Sequence, residues 1–184
     1  MMFLSFLKST FKAFKNKIEL ISYNEYTISE YFRKKGAQIG NNCRILIHDF
    51  GSEPYLVKIG NDCIITPGVA FITHDASVGL FRREIPDLNI FGKIEIKDNC
   101  FIGLGSIILY DVTVGPNSVV GAGSIVTKDV PPNTVVAGVP AKVVCSIDEY
   151  KKKCLQKWYG LNLKGSRETW KGQLIKFFWS DTKE

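Results

Sequence analysis

Histidine is scarce in this 184-residue chain, which contains two, and the five cysteines are an odd number without a CxxC pair. Two histidines cannot form a three-histidine zinc site, and the cysteine pattern argues against a zinc knuckle or a disulfide framework. Apolar runs fall short of the roughly 18 residues that span a bilayer. The start, "MMFLSFLKST", lacks the cleavage site of a secretory signal, so we expect a cytoplasmic location.

The overall composition is that of a globular chain with a basic excess. Hydrophobic residues make up 45% and charged residues 23%, with a formal net charge of +6. Such a charge allows an anionic partner, which could be a phosphorylated cofactor, nucleic acid or an acidic membrane surface. Nucleic-acid binding would rest on this charge alone, so we expect none.

Aliphatic residues recur at every sixth position without a break over residues 96–131, and the same spacing appears earlier at Ile59, Ile65 and Phe71. A period of six fits neither an α-helix nor a hairpin. It fits a prism of short strands, in which one unit forms a side and a corner and three units complete a coil. Cys43, Cys63 and Cys100 fall at a small-residue position of the same repeat, which predicts buried structural thiols. The sequence thus predicts an all-β solenoid, whose clearest column is Ile96, Ile102, Ile108, Val114, Val120 and Val126.

The pattern [LIV]-G-x-x-[STAVC]-x, together with "GAGSIVTKD" and "PPNTVVAGVPAK", resembles the hexapeptide-repeat acyltransferases, in particular the galactoside and maltose acetyltransferase branch. The resemblance implies a left-handed parallel β-helix of about five coils with an extruded loop. It would occupy residues 36–145, between an N-terminal helical cap (1–35) and a C-terminal helical extension (146–184). The resemblance further implies an acetyl-CoA-dependent enzyme without a metal, assembled as a homotrimer with active sites between subunits.

The six-residue repeat is interrupted between Phe71 and Ile96, and again between Ile45 and Ile59. Insertions in a solenoid become surface excursions, where function tends to concentrate. His74 lies at the root of the larger one. Imidazole can accept a proton near neutral pH, and the family's catalytic histidine occupies this place. The resemblance therefore predicts that His74 is the general base for direct acyl transfer, with an oxyanion donor among the backbone N–H groups of residues 103–105.

Acceptor-binding candidates lie around both interruptions. They are Asp75, Glu84 and His48. Glu84 could instead orient His74 or be a solvated loop charge, and His48 could instead have a packed or surface role. His48 lies in "RILIHD", where the galactoside branch has an acceptor-contacting asparagine that is missing here. "GSEPY" and "FITHD" look like acetyltransferases of polysaccharide gene clusters, so the expected acceptor is a saccharide hydroxyl. An amino group on a nucleotide-linked sugar, an antibiotic hydroxyl and a non-catalytic scaffold of the same fold are alternatives; a carbonic anhydrase would need a third histidine.

Cofactor-binding candidates follow from the same resemblance. Small corner residues would let the pantetheine arm lie close to the backbone, although the glycines could simply form corners. Lys128 and Lys142 would offer ammonium groups to the phosphates. The complete set is Gly103, Gly105, Ala122, Thr127, Lys128 and Lys142.

Both ends of the chain predict helices. Residues 3–18 have apolar positions at helical spacing and a lysine-rich face, which suits either a cap on the solenoid or peripheral contact with an anionic membrane. The aromatic-rich C-terminal segments are expected to pack on the solenoid or on a neighbouring subunit.

Overall fold

The computed structural model describes residues 18–158, 160, 161, 163 and 165–179. The amphipathic pattern predicted for residues 3–18 lies almost entirely outside these residues. The chain divides into two compact units, of which the first ends at Tyr150 and the second begins at Lys151.

Short parallel strands dominate the first unit, and helices lie at its two ends. Helix α1 spans Ile28–Lys34, and two 3-10 helices span Pro54–Leu56 and Ala76–Phe81. Helix α2 (Ile147–Gln156) crosses the boundary between the units, and α3 (Arg167–Trp179) belongs to the second. The strands are β1 (Gln38–Ile39), β2 (Arg44–Ile45), β3 (Val57–Ile59), β4 (Ile64–Ile65), β5 (Ala70–Ile72), β6 (Ile94–Ile96), β7 (Phe101–Ile102), β8 (Ile107–Leu109), β9 (Val112–Val114), β10 (Val119–Val120), β11 (Ile125–Val126), β12 (Thr134–Ala137) and β13 (Lys142–Ser146).

The chain visits three sheets in rotation. The first sheet has the order β1-β3-β6-β9, the second β2-β4-β7-β10-β12-β13, and the third β5-β8-β11. All pairings are parallel except that of β12 with β13, which ends the second sheet. Ile102 pairs with Val120 and Ile108 with Val126, so one coil takes eighteen residues, or three units of six. The predicted stack of parallel strands with short terminal helices is confirmed.

The aliphatic column forms the core of the solenoid. All six of its predicted members, from Ile96 to Val126, have at most 1% of their surface exposed. Burying a side chain of this size stabilises the fold by about 1.5–3 kcal/mol. Helix α1 covers one end of this core, where Phe32 stacks on Phe50 with ring centroids 3.7 Å apart.

The cysteines of the repeat form a second buried column. The thiols of Cys43, Cys63 and Cys100 each donate to a backbone carbonyl of the next coil, at 3.0 Å. The hydroxyl of Ser118 makes the equivalent bond to the carbonyl of Pro131 at 2.9 Å. The hydrogen bond with the Cys100 thiol, together with burial, raises the pKa of Cys63 to about 11, so this group stays protonated. The prediction of structural thiols is confirmed.

One corner of the solenoid is a ladder of asparagines in the left-handed backbone region. Asn99, Asn117 and Asn133 have φ near +56° (values of 55°, 56° and 57°), a conformation that asparagine tolerates better than most residues. The Nδ2 of Asn99 donates to Oδ1 of Asn117 at 2.8 Å, and that of Asn117 donates to Oδ1 of Asn133 at 3.0 Å. The ladder fixes the vertical alignment of successive coils.

The described part of the second unit consists of the end of α2, the helix α3 and residues outside any helix between them. Helix α3 has thirteen residues and no buried side chain. Among the residues described, no helix combines the length and apolar character needed to cross a bilayer.

Candidate active site

The larger interruption forms a loop closed by hydrogen bonds at its base. Ile72 pairs with Leu109, thirty-seven positions away, so nineteen residues exceed the usual eighteen-residue coil. The N–H of Asp75 donates to the carbonyl of Ile90 at 3.0 Å, and the N–H of Gly92 donates to that of Thr73 at 2.9 Å. His74 and Phe91 form a bridge between these bonds. We call this closure, residues 73–75 and 90–92, the neck; it holds His74 two residues beyond the end of β5.

A carboxylate contacts the imidazole of His74. Oε2 of Glu53 lies 2.9 Å from Nδ1 of His74, and the hydroxyl of Thr73 donates to the same oxygen at 2.6 Å. The Glu53 side chain is 12% exposed and that of His74 is 38% exposed. Hydrogen bonds from Thr73 and then His74 hold the pKa of Glu53 below its usual range. Since the ionised carboxylate only accepts, Nδ1 carries the proton and Nε2 is the nitrogen that can accept one.

Sequence reasoning missed Glu53 although it noticed the shorter interruption that contains it. Phe50 and Phe71 are both buried in the core, and their rings meet edge-on with centroids 5.1 Å apart. Glu53 and His74 each follow one of these phenylalanines by three residues, so the two excursions leave the same corner of adjacent coils. The matching spacings F-x-x-E and F-x-x-H are the sequence feature that could have indicated the pairing of Glu53 with His74.

The acceptor candidates do not gather around His74. Asp75 accepts a bond from the N–H of Ser77 at 2.9 Å, which caps the second 3-10 helix and lowers the pKa of Asp75. Glu84 is exposed in the turn after that helix. In the described part of the chain neither of them hydrogen-bonds to His74, and the carboxylate that orients the ring is Glu53 rather than Glu84.

His48 lies on the coil that precedes β5, in the segment between β2 and β3. It is exposed and lines an open groove of about 1010 Å³. The groove also contacts Pro67 and the full length of β5, and ends at Ile72, two residues before His74. His48 therefore shares this groove with β5, whose last residue precedes His74 by two positions.

The cofactor candidates lie at both ends of the strands of the third sheet. Thr127 and Lys128 are exposed and directly follow β11, at the C-terminal end of the strands, where His74 follows β5. Gly103, Gly105 and Ala122 lie in the corners at the N-terminal end of these strands. Between these two ends, the outer face of the third sheet carries half-exposed apolar side chains at Ala70, Ile72, Ile107, Leu109 and Ile125.

Hydrogen bonding within the coils limits which corner groups can bind an oxyanion. The N–H of Gly103 donates to the carbonyl of Val120 at 2.8 Å, and the N–H of Gly105 donates to that of Pro67 at 3.0 Å. Over the described residues, the N–H of Leu104 donates to no protein acceptor. Leu104 therefore supplies the available donor of the predicted 103–105 segment.

Lys142 lies on β13 and is exposed. It pairs in register with Ala137, and the N–H of its neighbour Ala141 donates to the carbonyl of Ile125 at 2.8 Å. This places the lysine beside the coil that contains β11. Within the described ranges, no group of three or more histidine, cysteine or acidic side chains could hold a metal ion.

Comparisons with known proteins agree with this architecture. Residues 93–128 match the family model described as the hexapeptide repeat of succinyl-transferase. Protein CapG of Staphylococcus aureus is 54% identical over 127 residues, which is 67% of this chain and 74% of that protein. The galactoside O-acetyltransferase of Escherichia coli is 42% identical over 100 residues, 54% of this chain and 49% of that enzyme.

A solved structure gives the same result. The hexapeptide-repeat acetyltransferase VCA0836 from Vibrio cholerae matches with a TM-score of 0.60 and 26% identity, covering 74% of this chain and 89% of that one. A second structure of VCA0836, in complex with acetyl coenzyme A, matches with a TM-score of 0.53 and 25% identity, covering 73% of this chain and 84% of that one.

The eighteen-residue coils and the extruded loop, taken with these similarities, define the protein as an acyltransferase of the β-solenoid class. Protein CapG, which is 54% identical to this chain over 74% of its own length, narrows the assignment from this class to one family. The chain belongs to the hexapeptide-repeat acetyltransferase family, as the sequence motifs predict.

Proposed function

We propose that the protein transfers the acetyl group of acetyl-CoA to a hydroxyl of a saccharide during synthesis of a cell-surface polysaccharide. The observation that carries this proposal is the hydrogen-bonded pair of His74 and Glu53 at the neck. The acetyl-CoA complex of VCA0836 supports the choice of donor. The galactoside O-acetyltransferase supports the choice of a sugar hydroxyl as the acceptor.

In the proposed mechanism His74 acts as the general base. With Nδ1–H donated to Glu53, Nε2 takes the proton of the acceptor hydroxyl as its oxygen attacks the thioester carbonyl carbon. The Glu53 carboxylate stabilises the imidazolium that forms. When the carbon–sulfur bond breaks, the same proton passes to the departing thiolate, so His74 returns to its starting form. No acyl-enzyme is needed.

Coenzyme A would lie along the outer face of the third sheet. Its pantetheine arm would contact the apolar side chains and the corners at Gly103, Gly105 and Ala122. Lys128 and Lys142 would bind phosphates, and the hydroxyl of Thr127 would add a hydrogen bond. The N–H of Leu104 is the proposed donor to the thioester oxyanion.

Within one chain, the proposed base and the proposed oxyanion donor are too far apart to act on the same thioester. His74 and Leu104 lie at opposite ends of the strands of the third sheet, which are two or three residues long, so the two groups are roughly 10 Å apart. We infer that a second copy of the chain presents its Leu104 corner beside His74, as in a head-to-tail ring. This argument supports the proposed homotrimer with active sites between subunits, built on a left-handed helix of about five coils spanning residues 36–145.

The proposal includes a cytoplasmic location. Its support is that all five cysteines are free, which suits a reducing compartment. Acceptor contacts by His48, Asp75 and Glu84 remain proposals, as does membrane contact by residues 1–17.

Exchange of the two histidines for alanine provides a matched test. Purified His74→Ala and His48→Ala are assayed for coenzyme A release from acetyl-CoA with a panel of galactosides, glycan fragments and nucleotide-linked amino sugars. We expect His74→Ala to lose about 10²- to 10⁴-fold in kcat/KM, the usual contribution of a general base. We expect His48→Ala to change KM for the acceptor more than kcat. A folded His74→Ala variant with full activity would refute the proposal.

The acetylated product separates the remaining alternatives. An ester is cleaved by mild alkaline hydroxylamine, whereas an amide is not, so this treatment distinguishes O-acetylation from N-acetylation. Calorimetric titration with acetyl-CoA tests the scaffold alternative, which requires that no binding be detected.

A further inference from the structure

The basic charge of the chain is concentrated at its ends. Residues 151–184 contain nine lysines and arginines but three acidic residues, a net charge of +6 that equals that of the whole chain. Residues 18–150 contain eleven basic and fifteen acidic residues, a net charge of −4. The solenoid is therefore acidic, and the C-terminal unit is strongly cationic.

The same unit contains all three tryptophans of the chain, and all are exposed. Trp158 is 71% exposed, Trp170 38% and Trp179 81%, and Ile175 between them is 49% exposed. Exposure of so many large apolar side chains in one short segment is unusual for a surface that meets only water. Tryptophan in particular is enriched where an apolar phase meets water, because its ring is apolar and its N–H is polar.

Cationic and apolar side chains share one face of α3. They are separated by three or four positions, which places them along a single side of a helix. Together they line an open groove of about 850 Å³. The residues of this face are Arg167, Trp170, Lys171, Leu174, Ile175 and Trp179.

We propose that the C-terminal unit binds the surface of an anionic lipid bilayer, with the tryptophans in the headgroup region and the lysines and arginines next to lipid phosphates. The net charge of +6 on residues 151–184 complements the phosphates of an anionic bilayer, whereas pairing this unit with the same unit of a second copy would bring like charges together. At thirteen residues, α3 is about 20 Å long and too short to span a hydrocarbon core of about 30 Å, so it would stay at the bilayer surface. Binding of this kind does not depend on the proposed enzymatic activity.

The test uses the full chain and its own tryptophans, which report on this unit alone. Vesicles of phosphatidylcholine with or without phosphatidylglycerol are added, and both tryptophan emission and co-sedimentation are measured. We expect a blue shift and binding with the anionic vesicles, and release at high salt. Arg167→Gln/Lys171→Gln should weaken partitioning about 25-fold, since each basic residue near the surface is worth about fivefold. Trp179→Ala should weaken it about tenfold by loss of buried apolar area.

Two control variants carry matched changes on the solenoid. Arg82→Gln/Arg83→Gln removes a basic pair from the extruded loop, and Leu80→Ala removes a side chain that is 81% exposed there. Both should bind vesicles as the parent does, and far-UV circular dichroism verifies that every variant is folded.

Four results would overturn the proposal. They are an absence of binding to anionic vesicles, equal binding to both lipids, and full binding by folded Arg167→Gln/Lys171→Gln. The fourth is loss of binding only when Lys8, Lys12, Lys15 and Lys17 are changed to glutamine, which would assign the membrane contact to the N-terminal segment. A second copy as the occupant would instead give a concentration-dependent rise in mass by ultracentrifugation and no response to vesicles.

Discussion

Replacement of Glu53 by glutamine would remove the negative charge next to His74 while preserving the geometry. The hydroxyl of Thr73 and the Nδ1 of His74 both bond to one oxygen, Oε2. An amide oxygen in the same position can accept both bonds, so the imidazole keeps its orientation and its tautomer. The variant therefore isolates the electrostatic stabilisation of the imidazolium that forms when Nε2 takes the acceptor's proton.

The size of the effect follows from distance and exposure. Opposite charges about 4 Å apart attract by about 1 kcal/mol in water and about 4 kcal/mol at a dielectric constant near 20. The ring of His74 is 38% exposed, which favours the lower half of this range. A loss of about 2 kcal/mol in transition-state stabilisation corresponds to a decrease of about 30-fold in kcat/KM. Glu53→Ala should lose more, because Thr73 then lacks its acceptor and the tautomer is no longer fixed.

The assay is coenzyme A release at varied acceptor concentration, which gives kcat/KM, measured over a range of pH. Because the pKa of Glu53 is below the usual 4.5, its carboxylate is charged throughout the neutral range. The charge that distinguishes the parent from Glu53→Gln is therefore present throughout the neutral range and disappears only in acid, where Glu53 itself becomes neutral. Thr73→Val is the matched control, since it removes one hydrogen bond and keeps the charge. Parental kcat/KM in a Glu53→Gln variant with an unchanged unfolding midpoint would refute this role for the carboxylate.

Further predictions concern the corners, the first sheet and the cofactor. A Cβ on Gly103 would lie 2.5 Å from the backbone nitrogen of Ala122, so Gly103→Ala should lower the free energy of unfolding by about 3 kcal/mol in urea titrations. At Gly105 the space is open and φ is +66°, so Gly105→Ala should lose only about 1 kcal/mol, and the reverse order would contradict this reasoning. Lys97 and Lys58 lower the pKa of Glu95 to about 2, so its stabilisation is complete above 4.5 and is lost as the pH falls towards 2. Glu95→Gln should thus reduce stability by about 1 kcal/mol at neutral pH and match the parent in strong acid, and a difference that persists in acid would exclude the ion pairs as its cause. Lys128→Gln should raise KM for acetyl-CoA about fivefold at unchanged kcat, with Arg82→Gln as the control, and an unchanged KM would separate Lys128 from the phosphates.

The solenoid could be predicted because its core is periodic in sequence. Each aliphatic residue from Ile96 to Val126 fills the same place in its unit, and all six are buried. The position of His74 was predictable for the same reason, since an interruption is visible only against a regular repeat. The buried thiols of Cys43, Cys63 and Cys100 followed from their constant place within the unit.

The partner of His74 could not be predicted from neighbouring positions. Asp75 and Glu84 are closer to it in sequence, yet one caps a 3-10 helix and the other is exposed, while Glu53 lies twenty-one residues away. That contact depends on two excursions leaving adjacent coils at one corner. The availability of the Leu104 N–H likewise depends on the turn geometry between Gly103 and Gly105, which residue identities alone do not specify.

The neck separates the base and its carboxylate, which the reaction requires, from the loop residues 76–89, which can vary. Its backbone bonds, from Asp75 to Ile90 and from Gly92 to Thr73, tie the loop ends together without using a side chain of residues 76–89. The loop could therefore be transplanted as a cassette between relatives, with the base and its carboxylate left in place. Acceptor preference could then diversify, in nature or in the laboratory, as long as the buried position of Val78 stays apolar.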